Sequence, residues 1–112
     1  MSNVDVYKQF LAAKGISLEP LGLREVALNR GDALSAIRIL RDVPAPILGG
    51  DVYFRRNGSM AIAYANWHVD RETGEQLDDF VERSCRQAEK YIDAFPHRTE
   101  EDPLFVLVVL SQ

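Results

Sequence analysis

The side chains that could carry chemistry in this chain are few and scattered. Its two histidines, His68 and His97, have no second histidine or cysteine at the spacing of metal ligands, and Asp70, two residues from His68, is too little to build a metal site on. No metal and no cofactor is expected. The single cysteine, Cys85, falls on the apolar side of a helical stretch, beside Ser84 and near Ala88. It reads as a buried thiol rather than a nucleophile paired with His68. No Gly-x-Ser-x-Gly elbow presents a serine to a histidine. Asp78-Asp79 and Glu100-Glu101-Asp102 are neighbours in sequence, whereas acid–base work needs carboxylates that converge across a cleft; they read as helix-start and loop charge. Gly49-Gly50-Asp51 would suit a phosphate cradle between a strand and a helix N-terminus, but here a strand follows the glycines. A bulge or a close backbone approach is the simpler reading. The alternative is a small-molecule module or small enzyme with a pocket formed by Gly49, Gly50, Asp51 and His68. No catalytic residue, and no enzyme, is expected.

The elements that must position these residues are more legible. Val4, Tyr7, Phe10 and Leu11 recur at helical spacing over residues 4–14. Residues 16–23, with Pro20 and Gly22, read as a connector. Residues 24–28 fit either a short strand or the first turn of the next helix, the strand being preferred. Asn29-Arg30-Gly31-Asp32 has the spacing of an N-cap followed by an acid at N3. The helix it opens runs to about Asp42, with Ala33, Ile37 and Leu40 buried, and Pro44 and Pro46 stop it.

Asn57-Gly58 between two alternating runs is the strongest short-range hairpin signal. With those two residues as the loop, Arg56 faces Ser59, Phe54 faces Ala61, Val52 faces Ala63, Tyr53 faces Ile62 and Asp51 faces Tyr64. One face of the hairpin then carries Val52, Phe54, Ala61, Ala63, Ala65 and Trp67, and its alanines leave room for a helix. The other carries Asp51, Tyr53, Arg55, Met60, Ile62, Tyr64 and Asn66, a mixture typical of contact surfaces. Thr73-Gly74-Glu75-Gln76 has the form of a capping box ahead of a long helix over about 75–95, on which Asp79–Arg83 and Glu82–Arg86 form i, i+4 pairs. Leu104 to Leu110 is apolar at every position, as in a strand covered on both faces. The expected fold is α+β: a four-stranded mixed or antiparallel sheet around the Asn-Gly hairpin, packed by about three helices. The last strand wants cover on both faces, which helices on both sides of the sheet, or a dimer, would supply.

At 112 residues the chain reads as a single domain over 1–112. With 46% hydrophobic and 27% charged residues it can bury a core without disulfides. The N-terminus lacks a basic stretch leading into an apolar one, so a secretory signal is not expected. The longest apolar run is too short for a membrane helix. A cytoplasmic location follows, which one cysteine suits. Charge is uneven: residues 1–69 carry 8 Lys/Arg against 6 Asp/Glu, and residues 70–112 carry 5 against 11, for a net charge of −4. That balance disfavours nucleic acid, whose binding needs cations, and suits a basic protein partner.

The string Ile47-Leu48-Gly49-Gly50-Asp51-Val52-Tyr53, then Tyr64, Asn66 and Trp67, then Ser84, Ala88, Tyr91 and Ile92, and the closing Leu104-to-Leu110 strand resemble the pattern of immunity protein 40, a family of bacterial polymorphic toxin systems. Leu23 to Leu40 upstream also fits, so the likeness covers most of residues 20–110. The resemblance implies a small α+β protein that binds a toxin's C-terminal domain in the cytoplasm and blocks it without catalysis. Many such toxins are basic nucleases. The contact residues expected on this reading are Asp51, Tyr53, Arg55, Tyr64 and Trp67 on the hairpin, with Asp78, Asp79, Glu82, Glu100, Glu101 and Asp102 steering association. The protein would be a monomer or a homodimer; a further alternative to toxin binding is a homodimeric structural domain whose Met60, Ile62 and Tyr64 face pairs with itself.

Overall fold

The computed structural model describes residues 3–98 and 100–110. The order is α1 (Asn3–Lys14), β1 (Ile16–Ser17), a 3-10 turn (Glu19–Leu21), β2 (Val26–Asn29), α2 (Arg30–Asp42), β3 (Ile47–Arg56), β4 (Ser59–His68), α3 (Leu77–Ala94) and β5 (Asp102–Val109). The strands form an antiparallel sheet ordered β1-β2-β5-β3-β4, so the fold is α+β with β5 central and β4 at an edge. The sheet has five strands rather than the expected four. The additional one, β1, is a two-residue pairing of Ile16 with Ala27 and Ser17 with Val26, too short to show a period.

Local chemistry sets the junctions. The Asn29 side chain accepts a hydrogen bond from the Asp32 N–H at 2.8 Å, capping α2 as its sequence predicts. Residues 26–29 are strand, so the ambiguous segment resolves to β2. Ala33, Ala36, Ile37 and Leu40 of α2 are buried. The expected capping box ahead of α3 does not form: the helix starts at Leu77, and its N-cap Gln76 makes no side-chain hydrogen bond. Glu75 instead accepts from the Glu72 N–H at 3.0 Å and from two nitrogens of Arg83, at 2.7 and 2.8 Å. Arg83 is therefore not the i, i+4 partner of Asp79, because a loop residue eight positions earlier offers it both carboxylate oxygens. Those bonds, with Arg83 the largest contributor, hold the Glu75 carboxyl down to about 2.

The sheet separates two buried clusters. On one face, Leu28, Val52 and Phe105 pack beneath α2 and α3 with Ile37, Leu40, Val81, Ala88 and Ile92. On the other, Tyr53, Leu104 and Val106 pack with Leu18 and Ala27, edged by Ile16, Leu21, Leu23 and Met60. Among the described residues no α-helix packs on that second face. The segment over residues 16–25 folds across the sheet and lays its leucines on Leu104 and Val106. Ser84, fully buried in α3, ties the layers together: its Oγ accepts from the Ile47 N–H at 3.0 Å and donates to the Val81 carbonyl at 3.1 Å. Ser84→Ala leaves that buried N–H without its acceptor and is expected to cost about 1–3 kcal/mol. Urea unfolding should show it as a lower midpoint at unchanged slope.

Candidate functional site

The hairpin turns as its sequence predicts. Asn57 and Gly58 both have positive φ, at 50° and 80°, and Arg56 faces Ser59, Phe54 faces Ala61 and Tyr53 faces Ile62. Beyond that row the register departs from expectation. Val52 faces Ala65 rather than Ala63, and Asp51 faces Asn66 rather than Tyr64. Ala63 and Tyr64 are extra residues in β4, a two-residue bulge level with the Val52–Tyr53 peptide. Two extra residues preserve the side-chain alternation, so Ala63, Ala65 and Trp67 still pack toward the helices. The bulge puts Tyr64 at φ 56°, where a bulky side chain costs about 1–3 kcal/mol. Tyr64 is 89% exposed.

The sheet face opposite the helices is only partly covered. Register places Asp51, Asn66, Ile62 and Val108 on it, beside the rows that the 16–25 segment buries. Ile62 and Val108 are exposed, with Leu110 just beyond β5. Tyr53, expected as a contact residue, is 8% exposed under that segment. Burial first, then the nearby carboxylates of Glu25 and Asp51, push its phenol above the ordinary value. Glu25 thus joins Asp51 at this surface, although nothing in its local sequence marks it. Among the described residues neither carboxylate makes an ion pair.

Trp67 lies on the helix side. Its indole stacks on Tyr91 with ring centroids 4.6 Å apart and covers Gly50, where a Cβ would come within 2.5 Å of the ring and of the Val106 carbonyl oxygen. The diglycine is a close backbone approach. The ligand pocket considered for Gly49, Gly50 and Asp51 does not form there, because the indole occupies the space above Gly50. His68 pairs instead with Asp70 at 2.7 Å, both exposed. An open groove of about 520 Å³ runs between the end of β4 and the last turns of α3, floored by Trp67, Val69, Tyr91 and Phe95. Cys85 is fully buried, and desolvation raises its thiol to about 11, so it stays protonated.

The expected steering carboxylates separate into two groups. Near the hairpin tip each meets an arginine: Glu100 with Arg56 at 2.7 Å, Asp102 with Arg55 at 3.9 Å and Glu101 with Arg98 at 3.8 Å. On α3, Glu82 binds Arg41 at 3.1 Å and Arg86 at 3.8 Å. Asp78 and Asp79, in the first turn, make no ion pair among the described residues. Their charge remains to act outward, and it also suits the positive end of the helix dipole. The expected site residues are thus spread over the open sheet face, the start of α3 and the hairpin tip, with Trp67 on the helix side and Tyr53 buried.

No curated protein and no solved structure matches the chain. A family model described as immunity protein 40 matches residues 17–109, which span every strand but the first residue of β1, together with α2, α3 and the whole hairpin. The chain belongs to the immunity protein 40 family.

Proposed function

We propose that this protein neutralises a cognate toxin domain of a bacterial polymorphic toxin system, in the cytoplasm, by covering the toxin's working surface in a one-to-one complex. Family membership supports the class of partner. The observation that carries the mode of action is the open half of the sheet. Ile62, Tyr64 and Val108 are exposed there beside the unpaired carboxylates of Asp51 and Glu25. Exposed aromatic and aliphatic side chains interleaved with polar ones suit a protein interface. Occlusion needs neither a reacting group nor a cofactor. Net acidity suits a basic toxin, a nuclease being one such kind, and Asp78 and Asp79 would draw it in over a Debye length of about 8–10 Å.

The test is co-purification with the product of the adjacent gene, followed by association kinetics. Asp78→Lys/Asp79→Lys is expected to slow association about tenfold at low salt and to flatten its salt dependence, with dissociation little changed. A neighbouring product that is non-toxic, or that the protein does not bind, would overturn the proposal. Unchanged association in the double variant would remove the steering role of these two aspartates and leave neutralisation standing.

A further inference from the structure

We propose that the bulge in β4 is a presentation device: it holds Tyr64 clear of the sheet as the anchor that enters an apolar pocket, rimmed by Lys or Arg, on the toxin domain. This rests on the reading of the protein as a toxin binder and names its point of contact. The backbone carries the first part of the argument. Tyr64 is in the left-handed region, which Gly or Asn tolerates and a large aromatic avoids. Its ring gives the fold nothing visible in return. It is almost fully exposed, and it enters no hydrogen bond or ring contact among the described residues. An outlier that internal packing does not explain points to a role outside the molecule.

The surroundings indicate what the ring would meet. Because the bulge lies level with the Val52–Tyr53 peptide, Ile62 flanks it on its own strand, and Asp51 and Tyr53 flank it on the next. Glu25 stands close enough to act on the Tyr53 phenol. Exposed apolar surface with two unpaired carboxylates beside it complements an apolar pocket with a cationic rim. A second copy of this chain is a poorer occupant. Edge-to-edge pairing needs a continuous ladder, and the bulge divides β4 into Ser59–Ile62 and Ala65–His68.

The test uses the full chain and the toxin domain encoded beside it, with titration calorimetry, thermal melting and sedimentation on the wild type, Tyr64→Gly and Tyr64→Phe. Tyr64→Gly removes the ring and relieves the backbone together. It is expected to weaken binding about 100-fold while the melting temperature holds or rises, and Tyr64→Phe should stay within roughly tenfold of the wild type. Wild-type binding that Tyr64→Gly leaves within about threefold would overturn the anchor and spare the toxin-binding reading. A wild type that does not bind the toxin would overturn both. A fall of more than about 5 °C in the melting temperature of Tyr64→Gly would make the ring a structural group and overturn the inference. So would a wild-type dimer that Tyr64→Gly dissolves, since the anchor would then serve a second copy.

Discussion

Gly50→Ala is expected to destabilise the protein by about 3 kcal/mol, a drop of roughly 10–20 °C in melting temperature. The added methyl would lie within 2.5 Å of the Trp67 ring and of the Val106 carbonyl oxygen. The two neighbours yield differently. The indole is a side chain that can tilt, at the cost of its stacking on Tyr91. The carbonyl belongs to the central strand, and Gly50 faces Leu107 in that ladder, so relief there would mean parting β3 from β5. Gly50→Ala/Trp67→Leu should therefore recover only part of the loss, and a double-mutant cycle would report the ring's share. Full recovery would show that the carbonyl contact costs nothing. A single variant melting within about 2 °C of the wild type would instead mean that the space over the diglycine is open, as a ligand pocket there would require.

The features legible in the sequence are those decided within a few residues. Asn29 caps α2 because its side chain needs only the Asp32 N–H three positions on. Asn57-Gly58 sets its turn because both residues accept positive φ. Cys85 and Ala88 declare a buried face through helical spacing alone.

The features that were not legible depend on segments meeting across the fold. The bulge is invisible because a two-residue insertion leaves the alternation intact, and Ala63-Tyr64 contains no glycine to mark the left-handed position. The cover over Leu104 and Val106 comes from a connector whose Leu18, Leu21 and Leu23 are separated by Pro20 and Gly22 and so follow no helical or strand period. Arg83 chooses Glu75 because residues 70–76 fold back over the start of α3; its Nη2 also donates to the Asp70 carbonyl at 2.6 Å. The candidate site inherits this division. Exposed carboxylates and aromatics can be listed from composition, but which carboxylates stay unpaired depends on where distant arginines lie.

The same separation of faces makes Phe105→Ala and Leu104→Ala a decisive pair. Both residues are fully buried neighbours on the central strand, yet they point to opposite sides of the sheet. Phe105→Ala should cost about 3–5 kcal/mol and Leu104→Ala about 2–5 kcal/mol, each a large part of the stability of a chain this size. Their local consequences should differ. Phe105 meets Phe95 edge-on at 5.7 Å and lies under the Arg30 guanidinium, which also donates to the Ile92 and Asp93 carbonyls at the end of α3. Its loss should speed hydrogen exchange first in residues 89–95, with the uncovered sheet face undisturbed. Leu104 supports Leu18 and Tyr53, so its loss should loosen residues 16–25 and the strand row beside the bulge. At a temperature where both variants remain folded, Phe105→Ala should bind the toxin like the wild type, whereas Leu104→Ala should bind it more weakly. Weakening in Phe105→Ala but not in Leu104→Ala would place the contact on the helix layer, around Trp67 and Tyr91, because that is the surface Phe105→Ala disturbs.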